Sequence, residues 1–153
     1  MRQYDIVLFG ATSFVGEILT GYMLEKYPVD GELKWAIAGR SESKLAQLRT
    51  SFGTAATSLP SIVADTGDSA SIDALVGATK VIISTVGPYA LYGEPVVKSC
   101  VSQGTDYCDL TGEPQWIKKM VDCYEGAAKI SGARIVHSCG FDSIPSDVGV
   151  NFI

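Results

Sequence analysis

The sequence has a single histidine, no run of lysine and arginine, no long apolar stretch and no closely paired cysteines. Each absence removes a class of function. Without consecutive cations nothing neutralises phosphates in series, and a net charge of −5 argues against a nucleic-acid surface. The longest apolar run, Val81 to Val86, falls far short of the roughly 20 residues that span a bilayer. No transmembrane segment is therefore expected. A strand-turn-helix pattern follows the lone charge of Arg2, where a secretory leader would place its apolar core. The four cysteines, Cys100, Cys108, Cys123 and Cys139, have neither CxxC nor zinc-type spacing. They read as free thiols in a reducing compartment, so a cytoplasmic protein without a metal is expected.

What is present is an ordinary globular composition, 46% hydrophobic and 19% charged, over 153 residues, about one domain. The chain is organised around Tyr4 to Gly16, YDIVLFGATSFVG. A short β-favouring run meets Gly10, and a helical pattern begins near Phe14. Strand, glycine turn and helix N-terminus in that order make an anion-binding corner, because the first amides of the helix lack internal partners. The helix is expected over Phe14 to Lys26 with Val15, Ile18, Leu19, Tyr22 and Met23 on its buried face.

Further strands are expected at Leu33 to Ala38, Ser61 to Ala64, Lys80 to Val86, Thr105 to Leu110 and Ala133 to Ser138. Helices are expected after Ser41, from Asp68 or Ser69, from Glu94-Pro95 to Gln103, and from Pro114 to about Ile130. Ser51 to Leu59 and Gly87 to Tyr89 read as loops, and another helix starts near Pro145. Six alternations of strand and helix predict an α/β fold, a doubly wound parallel sheet in the order 3-2-1-4-5-6. That order brings the ends of the first and fourth strands to one crevice.

The turn Gly10-Ala11-Thr12-Ser13-Phe14-Val15-Gly16 has the spacing of a dinucleotide motif, with Ser13 where the middle glycine usually stands. The Ser13 hydroxyl could donate to phosphate. The second strand ends Gly39-Arg40-Ser41, without the acid that would hold a ribose 2′-hydroxyl. Arg40, assisted by Ser41 and Lys44, instead suits a 2′-phosphate, so NADP is expected over NAD. Asp65 could contact the adenine or simply flank a helix. Thr85, Val86, Gly87 and Pro88 should lie along the middle of the cofactor, and Tyr89 and Tyr92 could edge the nicotinamide or cover the sheet.

No catalytic group declares itself. Tyr22 and Lys26 have the spacing of a reductase acid pair but lie away from the crevice. His137 could be structural or catalytic. Asp109, Glu113, Asp142 and Asp147 gather at strand ends as caps or proton carriers. Cys139 would need an activating base, and none is visible.

Five segments carry a resemblance: DIVLFGATSFVG (5–16), AIAGRSESKL (36–45), VIISTVGPYALYGEPVVKSC (81–100), TDYCDLTGE (105–113) and HSCGFDSIPSDVG (137–149). Together they resemble the saccharopine dehydrogenase-like oxidoreductases, a family that includes the trans-acting enoyl reductases. The resemblance implies a Rossmann domain followed by a second α/β domain, and NAD(P) chemistry on a carbonyl, imine or enoyl group. His137 to Asp147 would then form the hinge side of the cleft. The apolar end of the chain, Val148 to Ile153, fits a fragment whose C-terminal substrate domain is absent. An apolar helix face left by such a domain could pair two copies into a homodimer. The leading expectation is an NADP-dependent oxidoreductase, inactive as this piece and acting on a small-molecule substrate as a whole. A non-catalytic NADP-binding sensor or scaffold module is the alternative.

Overall fold

The computed structural model describes residues 2–153. The strands β1 (Tyr4–Phe9), β2 (Trp35–Gly39), β3 (Ser61–Val63), β4 (Thr79–Ser84), β5 (Asp106–Asp109) and β6 (Ile135–Val136) form one sheet in the order β3-β2-β1-β4-β5-β6. Every pairing is parallel. The helices are α1 (Phe14–Lys26), α2 (Glu42–Ser51), α3 (Ser69–Gly77), α4 (Tyr89–Tyr92), α5 (Glu94–Gln103), α6 (Pro114–Ser131) and α7 (Ile144–Val150). Capping explains several boundaries. Ser13, Ser41 and Asp68 each accept an amide of the first turn they open. Gly104 and Gly132 end α5 and α6 in the left-handed conformation.

Two apolar layers sandwich the sheet. On one face Val7, Phe9 and Ile82 meet Ile72 and Leu75 of α3, Val96 and Val97 of α5, and Trp116 and Met120 of α6. On the other, Leu8 and Ile37 meet Met23 of α1 and Leu45 and Leu48 of α2. The fully buried part of this second layer stops at β1, with half-buried Ile83 of β4 packed against its edge. Beyond β1, Ile83, Cys108 and Val136 follow Leu8 across the sheet in register, and Val136 is 52% exposed.

Several local expectations need correcting. The helix α1 buries Gly16, Thr20 and Met23, while Val15, Ile18 and Tyr22 face outward. The cause is the close approach at Gly16, where a Cβ would lie 2.2 Å from the Gly10 carbonyl oxygen. That contact sets the rotation of the helix and presents its small residues to the sheet. Strand β4 ends at Ser84, before Val86, and the segment read as a loop, Gly87 to Tyr89, runs into α4 at Tyr89. A 3-10 turn at Gly53–Ala56 interrupts the loop read after α2. The sixth strand pairs only through Ile135 and Val136, because the His137 ring and the Ser138 amide turn inward to Asp109.

Candidate functional site

The C-terminal ends of β1, β2, β3 and β4 surround a cavity of about 660 Å³. Its floor is the turn after β1. Gly10 has φ +92°, and a Cβ there would lie 2.6 Å from Thr85 Oγ1. Position 13 needs no glycine: Ser13 is extended (φ −81°, ψ 163°) and caps α1 by accepting from the Gly16 amide at 3.0 Å. Thr85 Oγ1 donates to the Gly10 carbonyl at 2.9 Å, which leaves Ser13 to donate to Thr85 at 3.1 Å. The hydroxyl hydrogen expected to reach a phosphate is thus used inside the turn. Among the described residues, the amides of Thr12, Phe14 and Val15 have no acceptor. They point from a positive helix end, an arrangement that accepts an anion.

At one end of the cavity stand Gly39, Arg40, Ser41 and Lys44. The Ser41 hydroxyl accepts from the Lys44 amide at 3.3 Å. The Arg40 guanidinium and Lys44 ammonium are exposed, and neither has an acceptor among the described residues. Two cations beside the positive end of α2 are unfavourable until an anion joins them. Asp65 lines the same end and accepts from the Gly67 amide at 2.8 Å, which folds Thr66 and Gly67 into the wall.

Thr85, Val86 and Gly87 form the opposite end, with Leu91 and Tyr92 of α4. Tyr89 turns the other way. Its hydroxyl donates to the Ser84 carbonyl at 3.0 Å and its ring packs on Trp116, 5.5 Å between centroids. Burial pushes its phenol up to about 12. It covers the sheet, the second of its two expected places. Ala11 is buried beneath the turn, Gly16 is buried in α1, and Pro88 lies outside the lining, as do the Phe14 and Val15 side chains. Phe9, Ala64, Thr66, Gly67 and Leu91 line the cavity without having been singled out. The Asp65-Thr66-Gly67 turn has a readable signal, since an Asp two residues before a Gly favours a side-chain-closed turn.

Outside this cavity lies a buried hydrogen-bonded pair, Asp109 and His137. The Asp109 carboxylate has no exposed side-chain surface and sits 2.7 Å from His137 Nδ1. It also accepts from the amides of Thr111 at 3.1 Å and Ser138 at 3.0 Å. The His137 ring lies edge-on to Trp116 and faces a second cavity of about 390 Å³, walled by Met120, Val97 and Ile135. His137 and Asp109 are therefore absent from the lining of the first cavity. Partial desolvation and the nearby Asp109 carboxylate raise the thiol of the exposed Cys139, which disfavours the thiolate a nucleophile needs. Asp142 and Asp147 are exposed beside and within α7.

A six-stranded sheet of this order, with a glycine turn at its switch point, defines the dinucleotide-binding α/β class. Comparison with known proteins narrows the class. Residues 6–136 match the family described as the saccharopine dehydrogenase NADP-binding domain, and the chain belongs to that family. Its cofactor class is NADP. It is 43% identical over 152 residues to a Mycobacterium ulcerans trans-acting enoyl reductase, covering 99% of this chain and 36% of that protein. A Caenorhabditis elegans protein named as lipid droplet localized is 41% identical over 157 residues, covering all of this chain and 37% of its own length. The chain thus spans about a third of these curated relatives. Among solved structures, apo saccharopine dehydrogenase (L-Glu forming) from Saccharomyces cerevisiae superposes with a TM-score of 0.73 at 16% identity, over 96% of this chain and 29% of that one. That likeness concerns the fold.

The residues present fit NADP. The glycine cradle has no room for side chains, three amides await an acceptor, and the free cations stand where the second strand ends.

Proposed function

We propose that this chain is the cofactor-holding part of an NADPH-dependent reductase. Gly10 to Gly16 would take the pyrophosphate on the amides of Thr12, Phe14 and Val15. Arg40, with Ser41 and Lys44, would take the 2′-phosphate, and Asp65 with the turn behind it would border the adenine. Thr85 to Gly87 and the α4 face would border the nicotinamide. The observation that carries this reading is the single cavity joining Arg40, the glycine turn and Tyr92. Bound NADPH supplies hydride, and this chain's residues bind it, orient it and shield one side from water.

The rest of the reading concerns the whole protein. A second domain would bring the substrate, a small molecule with a carbonyl, imine or enoyl group. The modest share of the relatives that this chain covers supports it, as does the uncovered face over β4 to β6. The free thiols suit the cytoplasm, and cell fractionation checks this against the lipid-droplet name of one relative. The outward stripe of Phe14, Ile18 and Tyr22 would serve a homodimer, which sedimentation reads directly.

One observation favours the alternative of a sensor or scaffold module: the Asp109–His137 pair does not line the NADP cavity. Calorimetric titration with NADPH tests the shared core of both readings, with saturable one-to-one binding in the micromolar range expected. Absence of binding at millimolar NADPH would refute both. Substrate-dependent NADPH consumption by the whole protein favours the reductase, and binding without any consumption favours the sensor.

A further inference from the structure

We infer that Glu113 is a positioning residue for the nicotinamide half of the cofactor, an inference that rests on the NADPH-binding reading above. Glu113 immediately precedes α6, beyond β5, and does not itself line the cavity. Its carboxylate reaches across to the start of α4. Oε1 accepts from the Tyr89 amide at 2.7 Å and Oε2 from the Ala90 amide at 2.9 Å. A carboxylate with both oxygens on backbone amides is a charge-assisted two-point clamp, stronger and more directional than neutral hydrogen bonds.

The clamp acts on a turn with two unlike sides. Tyr89 is its anchored side, fixed to Ser84 and Trp116. Leu91 and Tyr92 are its presented side, 70% and 41% exposed, and both line the NADP cavity beyond Gly87. Gly93 closes the turn so tightly on Trp116 that a Cβ would meet the indole at 2.5 Å. Held this way, the apolar wall of Leu91 and Tyr92 stands ready before any ligand arrives. A preformed wall avoids the ordering cost that a loose turn would bring to binding.

Glu113 is itself held. Its amide donates to Thr111 Oγ1 at 3.2 Å, and the Thr111 amide donates to Asp109, the carboxylate that also takes His137 and the Ser138 amide. The Ser138 hydroxyl returns to the Thr111 carbonyl at 2.8 Å. The loop after β6 is thereby joined through Asp109, Thr111 and Glu113 to one wall of the cofactor cavity.

The test is calorimetric titration of the chain with two probes: NADPH, and adenosine 2′,5′-bisphosphate, which lacks the nicotinamide half. Glu113→Gln keeps the size of the side chain but sets an NH2 group against one backbone amide. It is expected to weaken NADPH about 10-fold while leaving the bisphosphate within about twofold, on the scale of one lost charge-assisted hydrogen bond. Equal loss of both ligands, or loss of neither, would overturn the inference. Failure of the unaltered chain to bind NADPH would instead overturn the reading beneath it. Amide exchange on the unaltered chain gives a second test that needs no variant. The Tyr89 and Ala90 amides should exchange slowly without ligand, and exchange as fast as open-loop amides would show that no clamp exists.

Discussion

Gly10 and Gly16 do different work in one turn. Gly10 has a backbone conformation that L side chains rarely adopt, and Gly16 lets α1 touch the turn that precedes it. Gly16→Ala should cost several kcal/mol, about 2 or more, since backbone on both sides must move. Thermal unfolding checks this, with little loss contradicting the close approach. Ser13 is the opposite case. As an extended N-cap it should tolerate glycine with a loss of only about a few tenths of a kcal/mol, whereas Ser13→Ala should cost about 1 kcal/mol. Equal unfolding midpoints for the two variants would remove the capping explanation.

Titration adds a second prediction at this scale. Burial pushes the Tyr89 phenol from 10.0 and the Cys108 thiol from 9.0, each up to about 12. The native chain therefore keeps protons that the unfolded chain releases. The contribution of these two groups should hold steady below pH 9, and stability should fall as pH rises from about 9 to 12. Urea unfolding across that range reads the slope, and Cys108→Ala should make it shallower. A stability that rises with pH there would contradict the assigned burial.

At the scale of elements, α1 shows where sequence periodicity misleads. Val15, Ile18 and Tyr22 repeat as a buried face would, yet the contact at Gly16 fixes a rotation that buries Thr20 and Met23. Ile18→Lys should change monomer stability by no more than about 0.5 kcal/mol, while Met23→Ala should cost about 2–5 kcal/mol. Chemical denaturation of both variants decides which face is buried. The alternation of elements and the order of all six strands were readable, because parallel strands with helical crossovers admit few arrangements. Extents at the sheet edge were less so. The pattern Ala133 to Ser138 reads as a full strand, but the Asp109 carboxylate draws His137 and the Ser138 amide out of the ladder. The turn α4 was hidden for a related reason. Its amides are satisfied by Glu113, a residue distant in sequence.

At the scale of the molecule, two asymmetries matter. The helical layer of α1 and α2 ends at β1 and leaves Val136 and the neighbouring strand surface open, where the proposed second domain would pack. The cavity is asymmetric too, with free cations at one end and an apolar wall at the other. That polarity matches a dinucleotide with an extra phosphate on its adenosine half and a flat ring at its far end. The place of Arg40 in the cavity wall was legible from its position just after β2, and the Leu91–Tyr92 wall only partly, because its orientation depends on Tyr89 being pinned inward. The most direct test of the account is the ratio of NADH to NADPH dissociation constants for the chain and for Arg40→Ala. The account predicts NADPH binding at least about 10-fold tighter than NADH, with most of that preference lost in the variant through weaker NADPH binding alone. An unchanged preference for NADPH in Arg40→Ala would contradict it.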